Sequence, residues 1–188
     1  GLAMMSCFTD YWDAASANTN GLRFKTPEEE LIQKAAAMCE AYVDRFRDVA
    51  ADETELLFQI PLIDPASGAG DPAHSLNGCI DMVANGAIYE FKTSGRAHSQ
   101  RDADQSIQLT AYSLAYEYLY DQPPKALHLV TLTKTKEPKV HVVSTQRNPK
   151  DYQRLMEMAE GVLEAIHEGI YYRNLEPMYG CGGCAYQR

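Results

Sequence analysis

The dipeptide Asn85-Gly86 constrains this chain more than any other feature. It separates two apolar-rich runs, residues 76–84 and 87–93. Asn-Gly is the strongest short-range hairpin signal, because both residues tolerate the positive φ of a type I′ turn. A two-residue turn sets the register outward: Ala84 with Ala87, Val83 with Ile88, Met82 with Tyr89, and Asp81 with Glu90. Directly opposed residues share a face, with Cβ atoms about 4.5–5.5 Å apart. Two carboxylates are therefore expected to meet, which destabilises a hairpin unless something neutralises them. A divalent cation would do so, since Mg²⁺ is commonly held by one or two carboxylates with water and phosphate oxygens completing its shell. Lys92 lies two residues beyond Glu90 and so on the same face. The plainer alternative is a salt bridge from Lys92 to one of the acids with no metal, and on the hairpin alone that alternative is favoured.

The flanking pattern predicts an α/β domain. Thr26-Pro27-Glu28-Glu29 reads as a helix start, with Thr26 as cap, Pro27 at the first helical position and Glu29 closing a capping box. Leu31, Ile32, Ala35, Met38, Cys39, Tyr42 and Phe46 carry that helix to about residue 48. Alternation from Leu56 to Leu62 predicts a strand, and residues 64–75, rich in Asp, Pro, Ala, Ser and Gly, a loop. A helix is expected over 103–121, with Ile107, Ala111, Leu114, Ala115 and Tyr118 on one side and Pro123-Pro124 ending it. Strands follow at 126–133 and 139–144. A last helix over 148–168 repeats Leu155, Met158, Ala159, Val162, Leu163 and Ile166. Residues 1–24 give no clear element, and the chain after Tyr172 reads as irregular. Helix, three strands, helix, two strands, helix predicts a mixed central sheet flanked by helices, in a single domain over 1–188 with its core at 26–172 and a cysteine-containing tail at 173–188.

Composition narrows the function classes. Hydrophobic residues at 45% and charged residues at 23% are ordinary for a globular domain and exclude a disordered or collagen-like chain. No apolar run reaches the ~18 residues of a membrane span, and the first residues lack the basic and apolar regions of a signal peptide. Five cysteines, an odd number without a secretory signal, argue against a disulfide framework, so a cytoplasmic protein is expected. The net charge of −9 is uneven. Residues 1–91 hold 5 Lys/Arg against 15 Asp/Glu, and residues 92–154 hold 10 against 6. A local basic stripe can still meet phosphate in an acidic chain, and within it Arg96 and Arg101 are the candidate contacts.

Three motifs in order join the hairpin to a family. Gly78-Cys79-Ile80-Asp81 is followed by Glu90-Phe91-Lys92-Thr93-Ser94, then by Gln108-Leu109-Thr110-Ala111-Tyr112 on the next helix. Each alone is weak. Together they resemble the PD-(D/E)XK nuclease superfamily, and within it the RecB-like exonucleases, over about residues 55–188. The resemblance implies a restriction-endonuclease-like core and a metal-dependent DNA exonuclease of recombination, repair or phage DNA processing. It implies that Asp81, Glu90 and the backbone carbonyl of Phe91 hold Mg²⁺ or Mn²⁺. Lys92 would orient or deprotonate the attacking water and stabilise charge developing at phosphorus. Gln108 and Tyr112, one helical turn apart, would contact DNA or support the site; as bare positions they would read as an exposed polar residue and a core aromatic. DNA is the implied partner, with a helicase or recombinase beside it.

Two departures from that family stand out. Its early Gly-x-x-x-His text is absent before residue 27, so the chain is expected to begin just after that motif, with Cys7 to Trp12 ending its helix. Cys181 and Cys184 resemble the first two of three terminal ligands of a [4Fe-4S] cluster, whose third would fall past Arg188. A cluster needs four ligands, so two free cysteines are the plainer reading. A catalytically weak or silent DNA-binding or assembly module of a helicase–nuclease complex is the competing class. A structural zinc site lacks a second ligand pair.

Overall fold

The computed structural model describes residues 2–17, 26–64 and 67–170. Helix α1 spans Leu2–Ala17 and packs antiparallel on α2, Glu28–Phe46, with Trp12 Nε1 donating to Glu28 Oε1 at 2.8 Å. Cys7 to Trp12 therefore lie within a helix rather than at its end. The expected capping box at the start of α2 is absent. Pro27 itself is the N-cap, with ψ 138° and no side-chain cap, and three glutamates in the first turn supply the favourable charge at the helix N-terminus.

Five strands follow: β1 Glu53–Ile63, β2 Gly70–Ala84, β3 Ala87–Ser94, β4 Leu127–Thr133 and β5 Val140–Thr145. They form one sheet in sequence order, antiparallel except for the parallel pair β3–β4. The expected mixed sheet is present. The loop after β1 is shorter than the composition suggests, because β2 already begins at Gly70. A bulge between Pro61 and Leu62 lets Leu62 and Ile63 pair with Asp71 and Gly70, so Pro72 falls among residues the ladder skips. Gly70 is required there: at φ +123° its Cβ would sit 2.2 Å from the Leu62 carbonyl oxygen.

The helix expected over 103–121 is two helices, α3 Gln100–Asp104 and α4 Ile107–Tyr120. Ser99 and Asp102 form a capping box on α3, and Ser106 caps α4 by accepting from the Leu109 N–H. Arg147 braces the break by adding donors to carbonyls that already accept backbone N–H groups, Ala103 O from Ser106 and Ser106 O from Thr110. Its guanidinium donates to Ala103 O at 2.8 Å, Ser106 O at 3.1 Å and Thr110 Oγ1 at 2.7 Å. The last helix, α5, spans Pro149–His167 and closes in a Schellman turn, with Gly169 at φ +67° and the Ile170 N–H donating to Ala165 O.

Helices α4 and α5 cover one sheet face, where Phe58, Ile60, Leu62, Ile80, Ile88, Leu127 and Leu129 meet Leu109, Tyr112, Leu114, Tyr152, Leu155 and Met156. Helix α2 covers the other, with Phe46 against Val130, Leu132, Tyr89 and Phe91. Of the inward stripes expected on α4 and α5, Leu114, Ala115 and Leu155 are in the core and Ala111, Ala159 and Leu163 pack against it, but the remaining members face outward. Ile107, Tyr118, Met158, Val162 and Ile166 are exposed. Among the described residues, no helix is long and apolar enough to cross a membrane.

Candidate active site

The Asn85-Gly86 turn forms with φ +53° and +78°, and the first three expected pairs are present: Ala84 with Ala87, Val83 with Ile88 and Met82 with Tyr89. The fourth is not. Strands β2 and β3 part beyond Met82 and Tyr89, and Asp81 leaves the ladder. Its carboxylate bridges the gap instead, Oδ2 accepting the Phe91 N–H at 2.7 Å. A side chain thus satisfies a backbone donor that the neighbouring strand no longer reaches.

Two features explain the parting. The inward alternation of β2 slips, since Ile80 and Val83 both enter the α4–α5 core although three residues apart. Opposite the slip, Glu55 takes φ +50° and drops out of the ladder between Thr54–Met82 and Leu56–Ile80. Positive φ at a residue of this kind is strained. Glu55 Oε2 also accepts from the Cys79 thiol at 3.3 Å. None of this was expected from the sequence, and the one available signal was the bare alignment of Glu55 opposite Asp81.

Glu90 sits on β3 beside Ile88 and faces the α4–α5 core. Its side chain is 3% exposed, and Lys92 Nζ lies 2.5 Å from Oε1. Its other oxygen, Oε2, is buried with no hydrogen-bond partner. Burial pushes the Glu90 carboxyl above the usual carboxylate range, the Lys92 ammonium holds it down, and the charge of Asp81 raises it again. The salt bridge therefore exists, but it neutralises one oxygen and leaves the other bare.

Helix α4 closes the site. Gln108 Nε2 donates to Tyr112 Oη at 2.7 Å across one turn. Tyr112 is 6% exposed and meets Phe58 edge-on at 6.0 Å. Burial pushes its phenol up to about 12, with the negative charges of Glu90 and Asp81 adding to the effect. The Tyr112 oxygen accepts from Gln108, and its phenol feels the charge of both carboxylates. Gly78 makes room for this arrangement, because Phe58 lies across it: a Cβ on Gly78 would be 2.4 Å from Phe58 Cζ.

Arg96 is exposed in the loop after β3, and Arg101 is exposed on α3, donating to Gln105 Oε1 at 3.2 Å. Neither forms an ion pair with Asp81 or Glu90. Cys181 and Cys184 lie outside the described residues, and Cys7 is exposed on α1. Among the described residues, no group of three or more His, Cys, Asp or Glu side chains is placed to hold a metal. Two carboxylates, one with an orphaned buried oxygen, suit a hard cation that takes its remaining ligands from water and phosphate.

The fold and this pairing of Asp81 with Glu90-x-Lys92 on a parted hairpin define a restriction-endonuclease-like α/β domain. A profile of the PD-(D/E)XK nuclease superfamily matches residues 3–188, and the chain belongs to that superfamily. The chain is also similar in fold to a crystal structure named "Putative exonuclease" from Eubacterium rectale. The TM-score is 0.62 at 13% identity, covering 99% of this chain and 74% of that one. The crystal structure of SSO0001 aligns more weakly, with TM-score 0.46, 15% identity and coverage of 94% and 74%. No curated protein matches the chain in sequence.

Proposed function

We propose that the chain is a divalent-metal-dependent deoxyribonuclease that hydrolyses phosphodiester bonds at Asp81, Glu90 and Lys92. The observation that carries this is Glu90: a buried carboxylate, lysine-paired on one oxygen and bare on the other, beside a second acid. Asp81 and Glu90 would hold Mg²⁺ or Mn²⁺, with the Phe91 carbonyl as a further ligand. The cation, when bound, supplies Lewis-acid charge and acidifies water. Lys92, 41% exposed at the mouth of the cluster, presents its ammonium to the incoming water and to charge developing on the phosphoryl oxygens. Gln108 and Tyr112 hold the inner wall and keep the Glu90 side dry. An exonuclease of the RecB-like type, working in recombination, repair or phage DNA processing, is the finer reading. The motif order supports it, as does the name of the Eubacterium rectale neighbour.

Melting curves and cleavage assays on three proteins test this. Wild type should gain RT ln(1 + [L]/Kd), about 2.7 kcal/mol at a hundredfold excess of Mn²⁺, or roughly 5–11 °C. Asp81→Asn can keep the Phe91 hydrogen bond through its carbonyl, so it should match or exceed wild-type stability without metal while losing the metal-dependent gain. Lys92→Ala should keep the gain yet cleave about 10²–10⁴-fold more slowly. If Mn²⁺ leaves all three melts unchanged and both variants are simply less stable, the cluster is a structural salt bridge. The DNA-binding or assembly module then replaces the nuclease.

A further inference from the structure

We propose that the β4–β5 turn, with the loop that follows β3, is a phosphate-contacting ridge that lays the DNA backbone across the Asp81–Glu90–Lys92 cluster. The inference rests on the nuclease reading of that cluster and adds the path of its substrate. The turn is Lys134-Thr135-Lys136-Glu137-Pro138-Lys139. All three lysines are exposed, and among the described residues none makes an ion pair. Arg96 and His98 lie in the neighbouring loop. Three cations on six residues are a strong local departure for a chain whose net charge is −9.

The ridge is fixed relative to the cluster. Strands β3 and β4 run parallel, with Lys92 beside Thr131 and Ser94 beside Thr133, so both strands end at the same edge. The Lys134 N–H donates to Ser94 O at 2.7 Å, tying the turn to the strand that carries Lys92. In return, His98 Nδ1 lies 2.7 Å from Oγ1 of the buried Thr131, tying the β3 loop to β4. Thr133 and Lys139 close the turn, the Thr133 N–H donating to Lys139 O at 3.0 Å and the Lys139 N–H to Thr133 Oγ1 at 2.9 Å. From Lys92 to Lys134 is about 11 Å by strand spacing, some three steps along one strand of a duplex at ~3.4 Å each. Lysine and backbone donors without a stacking aromatic read phosphate and not base sequence, so the ridge binds DNA without sequence preference.

The test is fluorescence anisotropy with a short labelled DNA duplex from about 50 to 200 mM salt, in EDTA and again in Mg²⁺. Each lost phosphate contact removes ~0.9 from the log–log salt slope. Replacing Lys134, Lys136 and Lys139 together by Ala should flatten the slope by about two to three. The triple Arg replacement should restore it. A control removing Lys125, Lys150 and Arg154, which lie away from the ridge, should leave it unchanged. An unchanged slope in the ridge variant, or an equal change in the control, overturns the proposal. The two readings fail separately. A ridge-dependent slope in a protein that never cleaves with Mg²⁺ or Mn²⁺ keeps the ridge and removes the nuclease. Metal-dependent cleavage with an unchanged slope and KM does the reverse.

Discussion

Replacing Gly78 by Ala tests whether the first motif is there for space. The added Cβ would stand 2.4 Å from Phe58 Cζ and 2.7 Å from Cε1. Carbon atoms in contact prefer about 3.5–4.0 Å, so the ring must retreat by more than ~1 Å. It has nowhere easy to go. Phe58 is 7% exposed and its far side meets Tyr112 at 6.0 Å. Overpacking of this kind costs about 1–3 kcal/mol, or roughly 2–12 °C in a domain of this size. The push is transmitted to Tyr112 and so to the wall beside Glu90, so the Mn²⁺-dependent stabilisation should shrink as well. The assay is urea denaturation in a double-mutant cycle with Phe58→Leu. The shorter side chain costs stability by itself, but in its background Ala at 78 meets no ring, and the two changes should couple by about 1 kcal/mol or more. In an ordinary strand, Gly→Ala stabilises by roughly 0.5–1 kcal/mol. That outcome for Gly78→Ala alone, or additivity in the cycle, would refute the packing argument.

Glu90 makes the metal-free protein sensitive to pH. Its folded pKa is raised by burial, so its contribution to stability is fully present below the unfolded carboxylate value, about 4.3. It is lost as pH rises through the folded value. Glu90→Gln should remove this fall and leave the metal-free variant at least as stable as wild type at neutral pH, as read from denaturation midpoints across pH 4 to 8. Arg147→Met should cost about 1.5–3 kcal/mol by removing the charge-assisted hydrogen bonds that tie Ala103 O, Ser106 O and Thr110 Oγ1 together across the α3–α4 break, although both carbonyls keep a backbone N–H. Arg147→Lys should not rescue it, since one ammonium cannot replace the fork. Equal melting temperatures for wild type and Arg147→Met would show the break to be held by its caps alone.

Much of the fold follows from local rules. The Asn-Gly turn, the alternation in β1 and the apolar spacing of α2 and α5 each report a backbone period that tertiary contacts do not overrule. The misreadings share a different cause. The split between α3 and α4 is braced by Arg147, more than forty residues from Ala103, which adds donors to the carbonyls at the break. Periodicity alone favours a continuous helix, because it carries no sign of that distant guanidinium. The signal for the break was present in two serine caps, Ser99 and Ser106, but a cap inside an apolar pattern is easily outweighed by the pattern. The exposed stripe of Met158, Val162 and Ile166 likewise follows the helical period. The face that α5 buries is set instead by Tyr152, Leu155 and Met156 against the sheet.

The site shows the same limit more sharply. Turn geometry correctly aligned β2 with β3 for three pairs, and extending it by one more placed Asp81 opposite Glu90 as a ladder pair. A regular ladder would indeed bring both acids to one face, yet it would also spend the Phe91 N–H on backbone pairing. The chain instead parts at that point, lets Asp81 take the Phe91 N–H, and so fixes the carboxylate through one oxygen. Glu90 is fixed through one oxygen too, by Lys92. Each acid is thus anchored at one end, and Glu90 keeps an oxygen that is bare and buried. Two repelling carboxylates held this way carry a cost that Lys92 offsets at one oxygen and that a cation between them would relieve further, and the positive φ of Glu55 is a second strained feature where the strands part. No pattern of residue types encodes it, because it arises from a hairpin that stops being regular at the residue where its chemistry begins.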